Sequence, residues 1–184
     1  MTRLSHNKDY ESHIGAVTPR PVTSTLWPEG KPANFAGPKP MGTPRIIVHL
    51  GGDFSASTID GTPLRLSQKK GRLMLAMLAC SPGMRRSRDW LRRHLWHRAF
   101  TAHGFSSLRQ CLHNVRKSLE PEGECLCADR DYIWLEGSAV DVSECQAIPT
   151  RFLEDLPRID GPVQEWLEVE RLRLARGETA STRW

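Results

Sequence analysis

The sequence predicts an α+β fold in which a small antiparallel sheet precedes three helices and a β-hairpin closes the domain. Three observations carry that prediction. Residues 46–66 hold short β-branched or alternating stretches separated by Gly-Gly and Asp-Gly, the punctuation of short paired strands. Residues 67–119 hold three apolar patterns of helical period. Residues 125–135 hold two short apolar stretches on either side of Ala128-Asp129-Arg130-Asp131, which reads as a tight turn.

The third helical stretch, residues 106–119, is the most informative. Leu108, Cys111, Leu112, Val115 and Leu119 follow the i, i+3, i+4, i+7 spacing of a helix with one buried face. Ser106, Gln110, His113 and Lys117 project from the other side, with Arg109 and Arg116 on one flank and Asn114 on the other. This outer side carries cations and long hydrogen-bonding groups, and no acid before Glu120. Such side chains reach base edges when a helix lies in the major groove of duplex DNA.

The remaining elements follow in chain order. Residues 1–44 hold seven of the thirteen prolines and no sustained period, so a disordered tail is expected there. Order is expected from Arg45. Ile46-Ile47-Val48-His49-Leu50 is a strand, residues 54–59 alternate weakly, Asp60-Gly61 signals a hairpin and residues 63–66 return as a short strand. Ser67 is the expected N-cap of a first helix reaching about Cys80, with Leu73, Met74, Met77 and Leu78 inward. Lys69, Lys70 and Arg72 crowd its first turn, where the helix dipole disfavours cations; that mismatch points to a role other than stability.

Ser81-Pro82-Gly83 ends the first helix, and Ser87 caps a second from Arg88 to about Trp96. Trp90, Leu91 and Leu95 face inward, and Arg85, Arg86, Arg88, Arg92 and Arg93 surround them. A loop containing Gly104 is expected before the third helix. Beyond the hairpin, Asp141-Val142 is a candidate pairing segment, and residues 164–176 form a last helix. The predicted division is a tail over 1–44, a DNA-binding domain over 45–146 and an acidic helical extension over 147–184.

Charge supports a polyanionic partner. The net of +5 divides unevenly: +1 over residues 1–64, +12 over 65–117 with Asp89 the single acid, and −8 over 118–184. A block of +12 in 53 residues is an electrostatic footprint for nucleic acid. A membrane surface attracts the same charge but also needs exposed apolar residues beside the cations. No apolar run approaches the roughly 20 residues that span a bilayer, and the N-terminus has no apolar signal region. A cytoplasmic protein with no membrane partner is therefore expected. Five cysteines at irregular spacing fit reduced thiols better than a disulfide framework.

Strands, three helices with a basic third, then a hairpin describe a winged helix-turn-helix. The motifs Leu50-Gly51-Gly52-Asp53-Phe54, Asp60-Gly61-Thr62-Pro63-Leu64, Gln68-Lys69-Lys70-Gly71-Arg72, residues 91–96, Ser107-Leu108-Arg109-Gln110, Val115-Arg116-Lys117-Ser118-Leu119 and Ala128-Asp129-Arg130-Asp131 occur in that order. Over residues 45–146 the chain resembles the OmpR/PhoB-type DNA-binding domain of the antibiotic-regulatory-protein (SARP/BTAD-like) family of transcriptional regulators. Residues 152–171 also resemble the start of the helical-repeat module that follows in that family.

The resemblance implies that helix 106–119 enters the major groove and that the 125–135 hairpin is the wing, with Arg130 near an adjacent minor groove. It also implies two copies on tandem half-sites and an RNA polymerase contact by the loop over 96–105. That loop departs from the family in being basic rather than acidic, and no receiver domain precedes residue 45, so phosphorylation control of that type is not expected. From the outward positions, Gln110, His113, Asn114 and Arg116 are the expected base readers. Lys69, Lys70, Arg85, Arg86, Arg88, Ser106, Ser107, Arg109, Lys117 and Arg130 are the expected phosphate and backbone contacts.

Three rival readings compete. A zinc site assembled from Cys125, Cys127 and His94, His97 or His103 lacks C-x₂-C spacing, and Cys125 and Cys127 fall on one strand face as small hydrophobes. Neither a metal nor another cofactor is expected. An enzyme is not expected, because no nucleophile elbow, phosphate loop or paired-carboxylate motif occurs. An adaptor that docks on another regulator or on RNA polymerase is the alternative to DNA binding.

Overall fold

The structure is a computed structural model that describes residues 44–142, 148–156 and 161–178. Residues 1–43 of the predicted tail, Cys145 and the last six residues lie outside the described residues. Among the described residues no helix is long and apolar enough to cross a membrane.

Strand β1 (Ile46–His49) is central in the first sheet. Its β-branched run buries Ile46 and Val48 completely, and the alternate residues face outward. Strand β2 (Ser55–Thr58) returns antiparallel to it across Gly51-Gly52. The expected strand over 63–66 is reduced to one bridge between Ser57 and Pro63, with Leu64 N–H donating to Ala56 O at 2.8 Å. Proline has no N–H to continue the ladder.

Helix α1 (Lys69–Ala79) starts after Gln68, one residue later than a Ser67 cap would place it, because Gln68 is itself extended and takes the cap position without a side-chain hydrogen bond. Ser87 does cap α2 (Arg88–Leu95), accepting from Trp90 N–H at 3.2 Å. Strand β3 (Arg85–Ser87) lies between the two helices. Helix α3 runs Thr101–Ser118, five residues earlier at its start than expected. The expected loop over 96–105 is thus only a short link. Gly104 marks a close crossing instead: a Cβ there would sit 2.9 Å from Arg92 Cγ, so α3 passes tightly under α2.

Strands β4 (Leu126–Ala128) and β5 (Tyr132–Leu135) form the expected hairpin, and β3 adds to the free edge of β5 as a third strand. The chain then re-enters the first sheet. Strand β6 (Ser138–Asp141) pairs with β1, and the pairing is parallel, so that sheet is mixed rather than wholly antiparallel. The winged helix-turn-helix, an α+β fold, is thereby complete.

The C-terminal part packs into the same core. Phe152, Leu153 and Leu156 are buried beside Leu50 and Phe54. Gly52 N–H donates to Arg151 O, and Leu153 and Glu154 N–H donate back to Leu50 O and Gly52 O. Asp155 accepts from Phe54 N–H at 2.8 Å and from Arg72 at 2.6 Å. Helix α4 (Pro162–Ala175) covers α2 with Val163, Trp166, Leu167 and Leu174. Val169 and Leu172, also apolar in the sequence pattern, are exposed.

Candidate nucleic-acid interface

The buried face of α3 is the one its spacing predicts: Leu108, Cys111, Leu112 and Val115 are all in the core, with Leu119 just beyond the helix. Burial pushes the Cys111 thiol up to about 11, Lys70 opposing weakly, so it stays a neutral packing group. On the opposite face Ser106, Arg109, Gln110, His113 and Lys117 are exposed, and Asn114 and Arg116 are half-buried on its flanks.

Several of these side chains are already engaged. Gln110 Nε2 donates to Asn114 Oδ1 at 2.9 Å. The pair spans one turn and leaves the Gln110 carbonyl as acceptor and the Asn114 amide as donor on the outer surface. Arg109 donates to Ser106 Oγ at 3.1 Å. Arg116 Nε donates to Leu126 O at 2.8 Å, which fastens α3 to the first wing strand and leaves the outer guanidinium N–H groups available. Gly123 completes that join: a Cβ there would lie 2.5 Å from Arg116 O. Between α3 and the wing runs an open groove lined by His113, Arg116, Lys117, Glu120, Glu124 and Trp134.

The early start of α3 changes what Ser106 and Ser107 can do. They lie in its second turn, past the free N–H groups of a helix start. Their hydroxyls, not their backbone donors, face outward or sideways. The sequence places a helix start at these serines; the structure places it at Thr101, and the free donors with it.

The wing is built around Asp129. Its Oδ1 accepts from Asp131 N–H at 2.8 Å and Tyr132 N–H at 2.6 Å, closing the turn. Arg85 bridges to its Oδ2 at 3.3 Å, and Arg88 Nε donates to its carbonyl oxygen at 2.7 Å. Burial pushes the Asp129 carboxyl up, but these N–H donors and the two arginines hold it below its ordinary value overall. The Arg85 guanidinium also lies 4.1 Å over the Tyr132 ring and 5.1 Å from that of Trp134. Arg85 and Arg88 therefore tie the start of α2 to the wing tip, where Arg130 is exposed.

The other expected phosphate contacts divide. Lys69 is exposed at the start of α1. Lys70 Nζ rests 4.8 Å over the Trp96 ring, and burial lowers its pKa. Arg86 is turned inward: Nε donates to Ser81 Oγ at 2.6 Å, the guanidinium lies 4.5 Å over Trp90, and burial lowers its pKa despite Glu170 nearby. Asp89, the one acid of the basic block, is neutralised by Arg92 at 2.9 Å and Arg93 at 2.5 Å. The hydrogen bond from Arg92 holds its carboxyl below the usual range.

The residues of the rival metal reading are not gathered. Among the described residues no group of three or more His, Cys, Asp or Glu is placed to hold an ion. His94 stacks on Trp90 at 3.7 Å with Nδ1 beside Trp90 O. Cys125 is buried and Cys127 half-buried, and burial raises both thiols.

What sequence reasoning missed is the framework under the interface. Arg85-Arg86-Ser87 shows no strand pattern, and Asp129 reads only as a turn former. The spacing between Arg85 or Arg88 and Asp129 gives no signal, because the contact crosses the fold.

No family model matches the chain, and no curated protein matches it. Among solved structures the chain is similar to Mycobacterium tuberculosis EmbR in complex with a low affinity phosphopeptide, with a TM-score of 0.52 and 20% identity. The likeness covers 74% of this chain and 43% of that one. At that identity it is a likeness of fold, and the chain spans less than half the length of that protein.

Proposed function

We propose that the protein is a sequence-specific, double-stranded DNA-binding regulator of transcription, with no catalytic activity and no cofactor. The observation that carries this reading is the outer face of α3. It exposes Arg109, Gln110, His113 and Lys117 with no acid among them, and the wing borders it on one side. Gln110, His113, Asn114 and the free part of Arg116 read base edges. Lys117, Arg109 and the hydroxyls of Ser106 and Ser107 meet the backbone walls. Lys69, Arg85 and Arg88 add phosphate contacts, while Arg86 and Lys70 act mainly through their packing on Trp90 and Trp96. Arg130 at the wing tip addresses an adjacent minor groove.

The test is a salt titration of binding to duplex DNA. Log affinity is expected to fall linearly with log salt, with a slope of about −0.9 per phosphate neutralised. Lys117→Ala is expected to weaken all sequences alike and to reduce that slope by about one. Binding indifferent to salt between about 50 and 200 mM, or absent, contradicts the reading. A single module buries about 600–1,000 Å² on DNA, so a natural site is expected to take two copies.

One observation favours a second contact. Phe100 is 85% exposed in the link between α2 and α3, with His97 and Arg98 beside it in sequence. An aromatic so exposed suits a protein surface, and this link is where the family resemblance implies RNA polymerase.

A further inference from the structure

Helix α4 has two unlike faces. Val163, Trp166, Leu167, Glu170 and Leu174 are buried against the domain. On the opposite side Glu165, Val169, Leu172 and Arg176 succeed one another at spacings of four, three and four residues, which aligns them in one stripe. All four are exposed, Val169 at 53% and Leu172 at 59%. A helix lying on a globular domain ordinarily gives its outer face to polar residues. Among the described residues Glu165 and Arg176 have no ion-pair partner.

The stripe reads acid, apolar, apolar, base, and it is self-complementary on reversal. Two copies laid antiparallel about an axis midway between Val169 and Leu172 set each Val169 against a Leu172 of the other copy. The same operation sets each Glu165 beside an Arg176. Parallel pairing would instead oppose Glu165 to Glu165 and Arg176 to Arg176. Antiparallel helix dipoles add to the preference.

We propose that α4 is a contact surface between two copies of this chain, joined antiparallel through Glu165, Val169, Leu172 and Arg176. One helix–helix contact buries less than the roughly 1,200 Å² of a stable interface, so the pair is weak in free solution. It strengthens when both copies are held on one duplex, where the second contact becomes intramolecular. A two-fold pair suits inverted half-sites rather than the head-to-tail repeats that the family resemblance implies. The surface does not depend on the DNA reading, because it is measured without DNA.

The experiment is sedimentation velocity on the full chain without DNA, over a wide concentration range. A concentration-dependent dimer is expected. Leu172→Glu is expected to abolish it. Glu165→Arg and Arg176→Glu are each expected to raise the dimer dissociation constant about fivefold or more, and the two together to restore it to within about twofold. All three positions are exposed, and circular dichroism checks that each variant is folded. A chain monomeric at every concentration overturns the proposal. So does a dimer that ignores Leu172→Glu, or a double charge reversal that fails to recover.

Discussion

Replacing Gln110 and His113 together by Ala is expected to leave the fold intact and to flatten sequence preference at one or two base pairs. The ratio of specific to scrambled affinity is expected to fall about tenfold or more, since each good side-chain–base pair gives about 1–3 kcal/mol of discrimination. Both residues are exposed on α3, so neither supports the core. The Gln110–Asn114 hydrogen bond is expected to make the effect partly shared: losing Gln110 frees the Asn114 side chain, and the two are expected to act as one reading unit. Asn114→Ala alone should therefore disturb the same base pair as Gln110→Ala, not a new one. Competition binding with specific and scrambled duplexes measures this. An unchanged ratio in the folded double variant removes α3 as the reader.

Phe152→Ala is expected to give the largest loss of stability, about 3–5 kcal/mol. Phe152 has no exposed surface, its ring lies 6.0 Å from that of Trp166, and its residue bridges to Gly51, two residues past β1. The side chain thus joins the C-terminal segment to the first sheet. A loss of that size is a large part of a domain's roughly 5–15 kcal/mol. Urea unfolding of the full chain reads it directly. A loss below about 1 kcal/mol would mean that residues 148–178 do not share the core in solution.

These two experiments mark what the sequence made legible and what it did not. The inner face of α3 was legible because five apolar residues at helical spacing leave little choice. The cap at Ser87 and the wing turn were legible because the signals are local. The start of α3 was not: Gly104 reads equally as a loop residue or as a close helix crossing, and only the position of Arg92 decides. Strand β3 was hidden and β6 was legible only at its end, Asp141, for a different reason. Arg85-Arg86-Ser87 and Ser138-Ala139-Val140-Asp141 carry weak local preference, and both become strands by pairing with distant partners.

The cations show the same limit at the interface. Their number was plain in the sequence, but their direction was not. Arg116 reaches Leu126 O, Arg86 reaches Ser81 and Trp90, and Lys70 rests on Trp96. The acidic composition beyond Thr150 suggested a separate extension, whereas Phe152, Leu153 and Trp166 bring it into the core. Net charge describes surfaces and leaves packing undetermined.

Base reading by α3 is tested most directly by selection of binding sites from a pool of random duplexes by the full chain. The pool is expected to converge on a site bound about a thousandfold or more tightly than scrambled DNA at physiological salt. A pool that never converges, with selected and unselected duplexes bound alike, would contradict it.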